Sequence, residues 1–478
     1  MEQWSSKRGF LLAAIGSAVG IGNLWRFSSV VGQNGGGAYL IPYFLAVFLC
    51  GVPLLALEMA AGRHFRGDVV SVFHTVRDRF RIIGWFMCGI VFLILSYYLV
   101  ITGWTLAYLY FAISDSPVSF AEFTATPAPL LFFLLSALAT GGIISLGVRN
   151  GIERITTVLL PLIYVILGAM VLYAITLPGF SAGVDYLFTP DFSVLGSPLI
   201  WSAAVGQAFF SLSVGYGILI TYGAYLDRGI LIGRSALVIA VWDTLASLLA
   251  GLVIFPLVFT FGLAPAMGAQ LAFTTLPLAF ARMPFGQAFA VAFFFLLFSA
   301  ALTSAISMLE VGVAAVGGAS GLPRRRVALL LTGLVLLTGL PAALSYTGLS
   351  LSVAGVRILD LMDETVGTMG LPLTALLTAV VFTWYAGSGM LAEEMEGEQG
   401  WLKVVVPVTK YLVPVVLAAI TVARLVFGLD FPGWHLVPGL PYIGVLLQGS
   451  TTVLLLSVLV LLAALLCGIT RCRVPDRE

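Results

Sequence analysis

Charge, histidine and cysteine are all scarce in this 478-residue chain, and each scarcity removes a class of protein. Only 9% of residues are charged against 60% hydrophobic, and the mean hydropathy is +1.08. A soluble domain carries about 25% charged residues, so the chain is a polytopic membrane protein. A net charge of +1 gives no basis for a polyanionic partner, and nucleic acid is excluded as one. Three histidines without an H-E-x-x-H spacing leave a metal hydrolase, or any enzyme built on a nucleophile and base, without its constellation. Four cysteines (Cys50, Cys88, Cys467 and Cys472) lie in or beside apolar segments; the last two lack C-x-x-C spacing, and no disulfide framework is expected. No cleavable signal peptide is expected, because the first apolar run, Phe10 to Val31, is longer than an h-region and no A-x-A site follows it. Long soluble segments are missing too, which places any activity inside the bundle.

What is there is a series of apolar runs of about 20 residues, the length that crosses a bilayer. Twelve are expected, near 9–32, 37–62, 82–112, 129–147, 152–175, 198–225, 230–262, 286–317, 325–346, 351–386, 403–428 and 443–469. An even count puts both termini on one side. Lys7, Arg8, Arg63, Arg66, Arg77, Arg79, Arg81, Arg149, Arg154, Arg228, Arg234, Arg324 to Arg326, Arg471, Arg473 and Arg477 all fall on that side. The positive-inside rule makes it cytoplasmic, with Asp115, Glu122, Asp185 and Asp191 opposite. Glu393, Glu394, Glu396 and Glu398 form an acidic inner loop against the trend, but acidic residues weigh little in that rule. The apolar, proline-punctuated stretch 263–285 is too short for two spans and reads as a re-entrant or capping hairpin on the outer face.

The first span is abnormal. Gly16-Ser-Ala-Val-Gly20-Ile-Gly22-Asn23-Leu-Trp-Arg26, followed by Gly35-Gly36-Gly37, places helix-weakening glycines, an amide and a guanidinium at membrane depth. Close helix packing explains Gly16 and Gly20, spaced four apart, but not Asn23 or Arg26. A span broken in the middle explains all of them, since freed backbone groups are tolerated where protein or a polar cavity satisfies them. The sixth span repeats the pattern with Gln207, Phe210, Ser211, Ser213, Gly215, Tyr216 and Gly217. Interrupted spans in corresponding positions of two halves point to a transport site at the midplane. Half-helix N-termini suit a carboxylate, and C-terminal carbonyls suit a cation. The eighth span adds Thr303, Ser304 and Ser307, hydroxyls that either bond their own helix or serve as hard oxygen ligands. The seventh adds Asp243, a carboxylate that costs about 2.5–3.5 kcal/mol at that depth and therefore reads as functional, with a cation or proton as partner.

These residues resemble the neurotransmitter:sodium symporter family (solute carrier family 6 and its prokaryotic members) over nearly the whole chain. The densest stretches are Trp4 … Gly16 to Phe27, Asn34-Gly-Gly-Gly-Ala-Tyr-Leu-Ile-Pro42-Tyr43, Gly206-Gln207-Ala-Phe-Phe-Ser-Leu-Ser213 and Leu302-Thr303-Ser304. The resemblance implies an all-α membrane protein of about 12 helices with the LeuT-type five-plus-five inverted repeat. Helices 1–5 would lie in 1–175, helices 6–10 in 198–387 and two further helices in 403–470, with the first and sixth helices broken. It also implies alternating access and sodium-coupled uptake across the plasma or inner membrane. Carried over residue by residue, the substrate would sit against Ala18, Ile21 and Gly22 with the hydroxyl of Tyr98. Phe210, Ser211, Ser213 and Tyr216 would complete that face, and Ile94, Ser304 and Met308 would line the side-chain pocket. One sodium would use Ala18, Asn23, Ser211 and Asp243; the other, carbonyls of Gly16, Val19 and Ala300 with hydroxyls of Thr303 and Ser304. Arg26 and Asp363 resemble the outer gate pair above an aromatic lid of Tyr98 and Phe210.

Departures from the family pattern refine these expectations. Amine carriers of the family have aspartate where this chain has Gly20, so the substrate's own carboxylate would supply the charge, and an amino acid is expected. Tyr43, Gln207, Ser211 and Ser247 resemble a chloride pocket, but Asp243 stands where the family usually has asparagine and already supplies a negative charge there. Chloride independence is expected, and proton countertransport is a corollary, since burial without sodium favours the protonated carboxyl. The inner-gate arginine is replaced by Met1 and its aspartate partner by Gly317-Gly318, leaving Trp4 and Tyr225 to close the inside by packing. Gly151 and Pro161 resemble the Gly-x9-Pro motif of members whose fifth helix unwinds; a simple proline kink is the alternative. Ile94, Phe210, Tyr216 and Met308 suggest a hydrophobic or aromatic amino acid. The alternatives are a symporter of another small zwitterion and a non-transporting amino-acid sensor on the same scaffold.

Overall fold

The computed structural model describes residues 2–263, 271–353 and 355–427. The twelfth expected span, Cys467, Cys472 and the C-terminal arginines lie outside the described residues, as does Met1. Among the described residues nine continuous helices are long and apolar enough to cross a bilayer: Gly37–Phe65, Asp78–Ile113, Ala128–Ser145, Val148–Ala174, Ile232–Thr260, Gly286–Ser320, Arg324–Leu344, Ile358–Tyr385 and Gln399–Val422. They are the second to fifth and seventh to eleventh spans in chain order. The first span is a bent pair, Lys7–Ala18 and Gly22–Gln33, set at 51°. The sixth is split into Pro198–Ser211 and Ile218–Ala224. One boundary needs correction: the tenth span begins at Ile358, not near 351. Ser352–Val353 and Val356–Arg357 pair antiparallel across a turn where Gly355 takes φ +81°, a conformation that a continuing helix excludes.

The spans pack through close backbone approach. A Cβ on Gly62 would lie 2.0 Å from the Ile220 carbonyl oxygen, and one on Gly223 would lie 2.6 Å from the Met59 carbonyl oxygen. The second helix and the inner arm of the sixth are therefore in backbone contact, which only glycine permits. In the fifth span, Gly151 lies in a π-type turn, Val148–Glu153, and Pro161 lies within the helix Arg154–Ala174. The Gly-x9-Pro stretch is wound in this conformation.

The acidic inner loop has a structural explanation. Glu394 binds Arg63, with Arg63 Nε 2.6 Å from its Oε2. Glu398 accepts from the backbone N–H groups of Gly233 and Arg234 at 3.0 Å each, capping the exposed donors at the start of the seventh helix. The outer stretch 271–285 carries a short helix, Leu276–Phe280, preceded by a π-type turn, Leu271–Thr275. Its Phe273 is buried among Trp25, Trp104, Phe120 and Phe294, so this part of the expected hairpin packs onto the bundle, while residues 264–270 lie outside the described residues.

Candidate functional site

Both helix breaks are made by named polar groups. The first helix ends where Val19 becomes extended (φ −69°, ψ 101°). The N–H of Gly20, which would continue the helical ladder, is donated instead to Asn23 Oδ1 at 2.9 Å. In the sixth span Ser213 takes φ +55°, followed by Gly215 at +85° and Gly217 at +70°. A serine in the left-handed region is held there by its own bond, Ser213 Oγ donating to the Ser17 carbonyl at 2.9 Å. The freed Gly215 N–H goes to Glu58 Oε1 at 2.8 Å, and the Gly215 carbonyl accepts from Thr374 Oγ1 at 2.7 Å. Buried backbone groups released by the break thus find protein partners.

The two breaks face each other. Gln207 Nε2 donates to the Gly22 carbonyl at 2.9 Å, and Asn23 Nδ2 lies 2.8 Å from Ser211 Oγ. Between them is a small, nearly closed cavity. Of the residues expected around the substrate, Ala18, Gly22, Tyr98, Phe210, Ser211, Ser213, Tyr216, Ser304 and Met308 line it. Ile21 contributes its N–H, 3.5 Å from Tyr98 Oη, while Ile94 is fully buried and is not among the residues that line the cavity. Ser17 and Gly20 line it as well. A Cβ on Gly20 would lie 2.7 Å from Ser304 Oγ and 3.1 Å from Tyr98 Oη, so a side chain there would meet both hydroxyls.

Beside the cavity stands a fully buried carboxylate. Asp243 Oδ2 and Oδ1 accept from Ser211 Oγ at 2.8 and 3.0 Å, and Oδ1 also accepts from Asn23 Nδ2 at 2.7 Å. Asn23 Nδ2 further lies 3.0 Å from Ser247 Oγ. Tyr43 approaches Ser211, Thr244 and Ser247, yet its buried hydroxyl has no hydrogen-bond partner. Asn23, Ser211, Asp243, Ser247 and Tyr43 are thus one cluster. Gln207 stands apart from it, accepting from Arg26 NηH at 2.8 Å while it donates to Gly22. The cluster is rich in hard oxygen donors, the chemistry that suits an alkali cation.

The second expected cation set lies between the first, fifth and eighth helices. Thr303 Oγ1 donates to the Ala300 carbonyl at 3.0 Å, and Ser304 Oγ donates to the Ser17 carbonyl at 3.2 Å. A Cβ on Gly16 would lie 3.7 Å from Thr303 Cβ and 3.3 Å from Thr156 Cγ2. Gly16 is therefore wedged between the eighth and fifth spans, next to the extended Val19.

The outer gate differs from the expectation. Among the described residues Arg26 and Asp363 form no ion pair. Arg26 is committed to Gln207 and to the face of Phe210, with Cζ 4.6 Å from the ring centroid, whereas Asp363 accepts from Tyr97 Oη at 2.9 Å. At the opposite end, Trp4 Nε1 donates to the Tyr222 carbonyl at 3.1 Å and its ring meets Tyr225 edge-on at 6.3 Å. Closure there is not by packing alone. Fully buried Glu310 pairs with Arg324 and accepts from Tyr225 Oη at 3.0 Å, and Ser5 binds Glu153 through its backbone N–H at 2.9 Å. Sequence reasoning missed Glu58 and Glu310, although the rule that singled out Asp243, a carboxylate inside an apolar span, applies to both.

Comparison with known proteins agrees with this architecture. The model of the sodium:neurotransmitter symporter family matches residues 1–122 and 119–463. The uncharacterized sodium-dependent transporter YhdH of Bacillus subtilis is 37% identical over 410 residues, 82% of this chain and 90% of its own. One from Methanocaldococcus jannaschii is 34% identical over 420 residues, 82% and 84% of the two chains. The crystal structure of MhsT in complex with L-phenylalanine superposes with a TM-score of 0.82 at 37% identity, covering 88% of this chain and 99% of that one. The all-α, LeuT-type fold with broken first and sixth helices is thereby the fold of this chain. It belongs to the sodium:neurotransmitter symporter family and is a sodium-dependent membrane transporter, not an enzyme.

Proposed function

We propose that the protein is a symporter that couples sodium to the uptake of hydrophobic or aromatic amino acids by alternating access. The observation that carries this reading is the meeting of the two helix breaks around a cavity bordered by the Asn23–Ser211–Asp243 oxygen cluster. A substrate carboxylate would lie toward that cluster and the backbone at Ile21 and Gly22, with Tyr98 Oη beside it. Phe210, Tyr216 and Met308 offer the side chain an aromatic and adaptable wall. Glycine in place of an aspartate at position 20 supports an amino acid over an amine, and MhsT, 37% identical, binds L-phenylalanine. Two sodium ions would bind, one at Ala18, Asn23, Ser211 and Asp243 and one at Gly16, Val19, Ala300, Thr303 and Ser304. Asp243 would substitute for chloride in the neighbouring Tyr43, Gln207, Ser211 and Ser247 region. The two halves, 1–175 and 198–387, would be the inverted repeats, with 403–470 appended. Both termini would face the cytoplasm of the cell membrane.

Purified protein in proteoliposomes, given an inward sodium gradient, is expected to accumulate L-phenylalanine or a similar amino acid equally well in chloride and in gluconate. Binding without accumulation would favour the sensor; accumulation that collapses in gluconate would overturn chloride independence.

A further inference from the structure

A second and larger cavity lies away from the transport site, on the outer face. It encloses about 1230 Å³ including its mouth, between the outer end of the third span, the loop that follows it, the capping helix and the start of the eighth span. Its wall is aromatic: Tyr108, Phe111, Phe120, Phe273, Phe280 and Phe294. Tyr108 is only 3% exposed, and among the described residues its hydroxyl has no hydrogen-bond partner, although a buried hydroxyl left unpaired costs about 1–3 kcal/mol. Two carboxylates, Asp115 and Glu122, are exposed at the same cavity, and among the described residues no lysine, arginine or histidine lines it. Glu122 accepts from the Ser119 N–H at 3.0 Å and from its hydroxyl at 2.8 Å, which holds its carboxyl below the usual range and keeps it ionised.

We infer that this outer cavity is a binding site for hydrophobic amines, with an aryl-alkyl body among the rings and the ammonium group at Asp115 and Glu122. Aromatic faces attract a cation as well as an apolar body. An orphaned hydroxyl and two acidic groups without a counter-cation complete a recognition set for one positive charge. Phe273 is shared between this cavity and the transport path: its ring stacks on Phe120 at 5.6 Å and meets Trp25, two residues from Asn23, edge-on at 5.4 Å. An occupant therefore rests against the capping segment without entering the central cavity.

The test titrates the full-length protein in lipid nanodiscs with 4-phenylbutylamine, 4-phenylbutanol and 4-phenylbutyrate, by calorimetry in sodium-free buffer. The amine is expected to bind at one site per chain, the alcohol about fivefold more weakly, and the acid not at all. Asp115→Asn and Glu122→Gln should each weaken the amine about two- to fivefold and leave the alcohol unchanged. Ala290→Trp, which fills the cavity, should abolish amine binding, while Phe210→Ala in the central cavity should not alter it. If Ala290→Trp does not fold, Leu278→Trp on the exposed wall is read in its place. Equal affinity for all three probes (bilayer partition), no binding of any, persistence in the filled variants, or loss in Phe210→Ala would each overturn the inference. The readout does not depend on which substrate is transported.

Discussion

Asp243 concentrates the chemistry of this chain in one side chain. A carboxylate with no exposure at membrane depth persists only with compensation, and Ser211 and Asn23 supply neutral donors without neutralising it. A cation bound beside it, as proposed above, would supply the missing charge, and a neutral amide in the same place would not require it. Asp243→Asn keeps the shape of the cluster and removes the charge. Sodium activation of uptake is expected to shift to concentrations at least about tenfold higher, about 1.4 kcal/mol, and uptake to become stimulated by chloride. Sodium titrations in chloride and in gluconate check both. Tyr43, with its unpartnered hydroxyl beside Ser211 and Ser247, is the donor an anion would meet in that variant.

At the scale of elements, the broken helices depend on partners from unbroken ones. The second span carries both the carboxylate that holds Gly215 and the glycine that admits the sixth span: Glu58 accepts the Gly215 N–H, and Gly62 lies against the Ile220 carbonyl. Gly62→Ala would drive a methyl to 2.0 Å from that oxygen, and the two backbones must separate to relieve it. Overpacking of this kind costs about 1–3 kcal/mol, so a lower melting temperature in detergent and reduced uptake are expected. The breaks themselves were legible because glycine, asparagine and serine stand out within apolar runs. The role of Glu58 was not drawn from the same rule, because its partner lies 157 residues away. The start of the tenth span was misplaced for a different reason: Leu351, Val353, Ala354 and Val356 extend the apolar run toward the span, and the turn at Gly355 separates ribbon from helix.

The whole molecule is asymmetric along its axis. At the end expected to face inward, Trp4, Tyr225, Glu310 and Arg324 hold the N-terminal residues, the sixth span and the eighth span together. At the outer end Arg26 and Asp363 are held apart, each by its own partner. Arg324→Ala would strand the buried Glu310 carboxylate, a loss that typically costs about 3–5 kcal/mol, and would loosen the inner end. A cysteine introduced at buried Thr221, in a background lacking the native cysteines, is expected to react with a maleimide severalfold faster when Arg324 is alanine. Unchanged labelling would mean that the pair does not hold the inner end shut. The expectation that packing alone closes this end came from positions where charges were missing. It overlooked a pair whose members lie 14 residues apart and flank the short turn into the ninth span.

Composition, the lengths of the apolar runs and the polar interruptions determined by themselves that this chain crosses a membrane repeatedly and that its first and sixth spans break. These are local properties: hydropathy over a bilayer thickness, backbone freedom at glycine, and the cost of a charge in an apolar run. Tertiary structure decided which partner each exposed group takes. Arg26 chose Gln207 and Phe210 over Asp363, Glu310 chose Arg324, and the acidic loop at 393–398 became caps and pairs. Hydrogen bonds and ion pairs act over about 3 Å, and distances that short are set by the packing of remote helices.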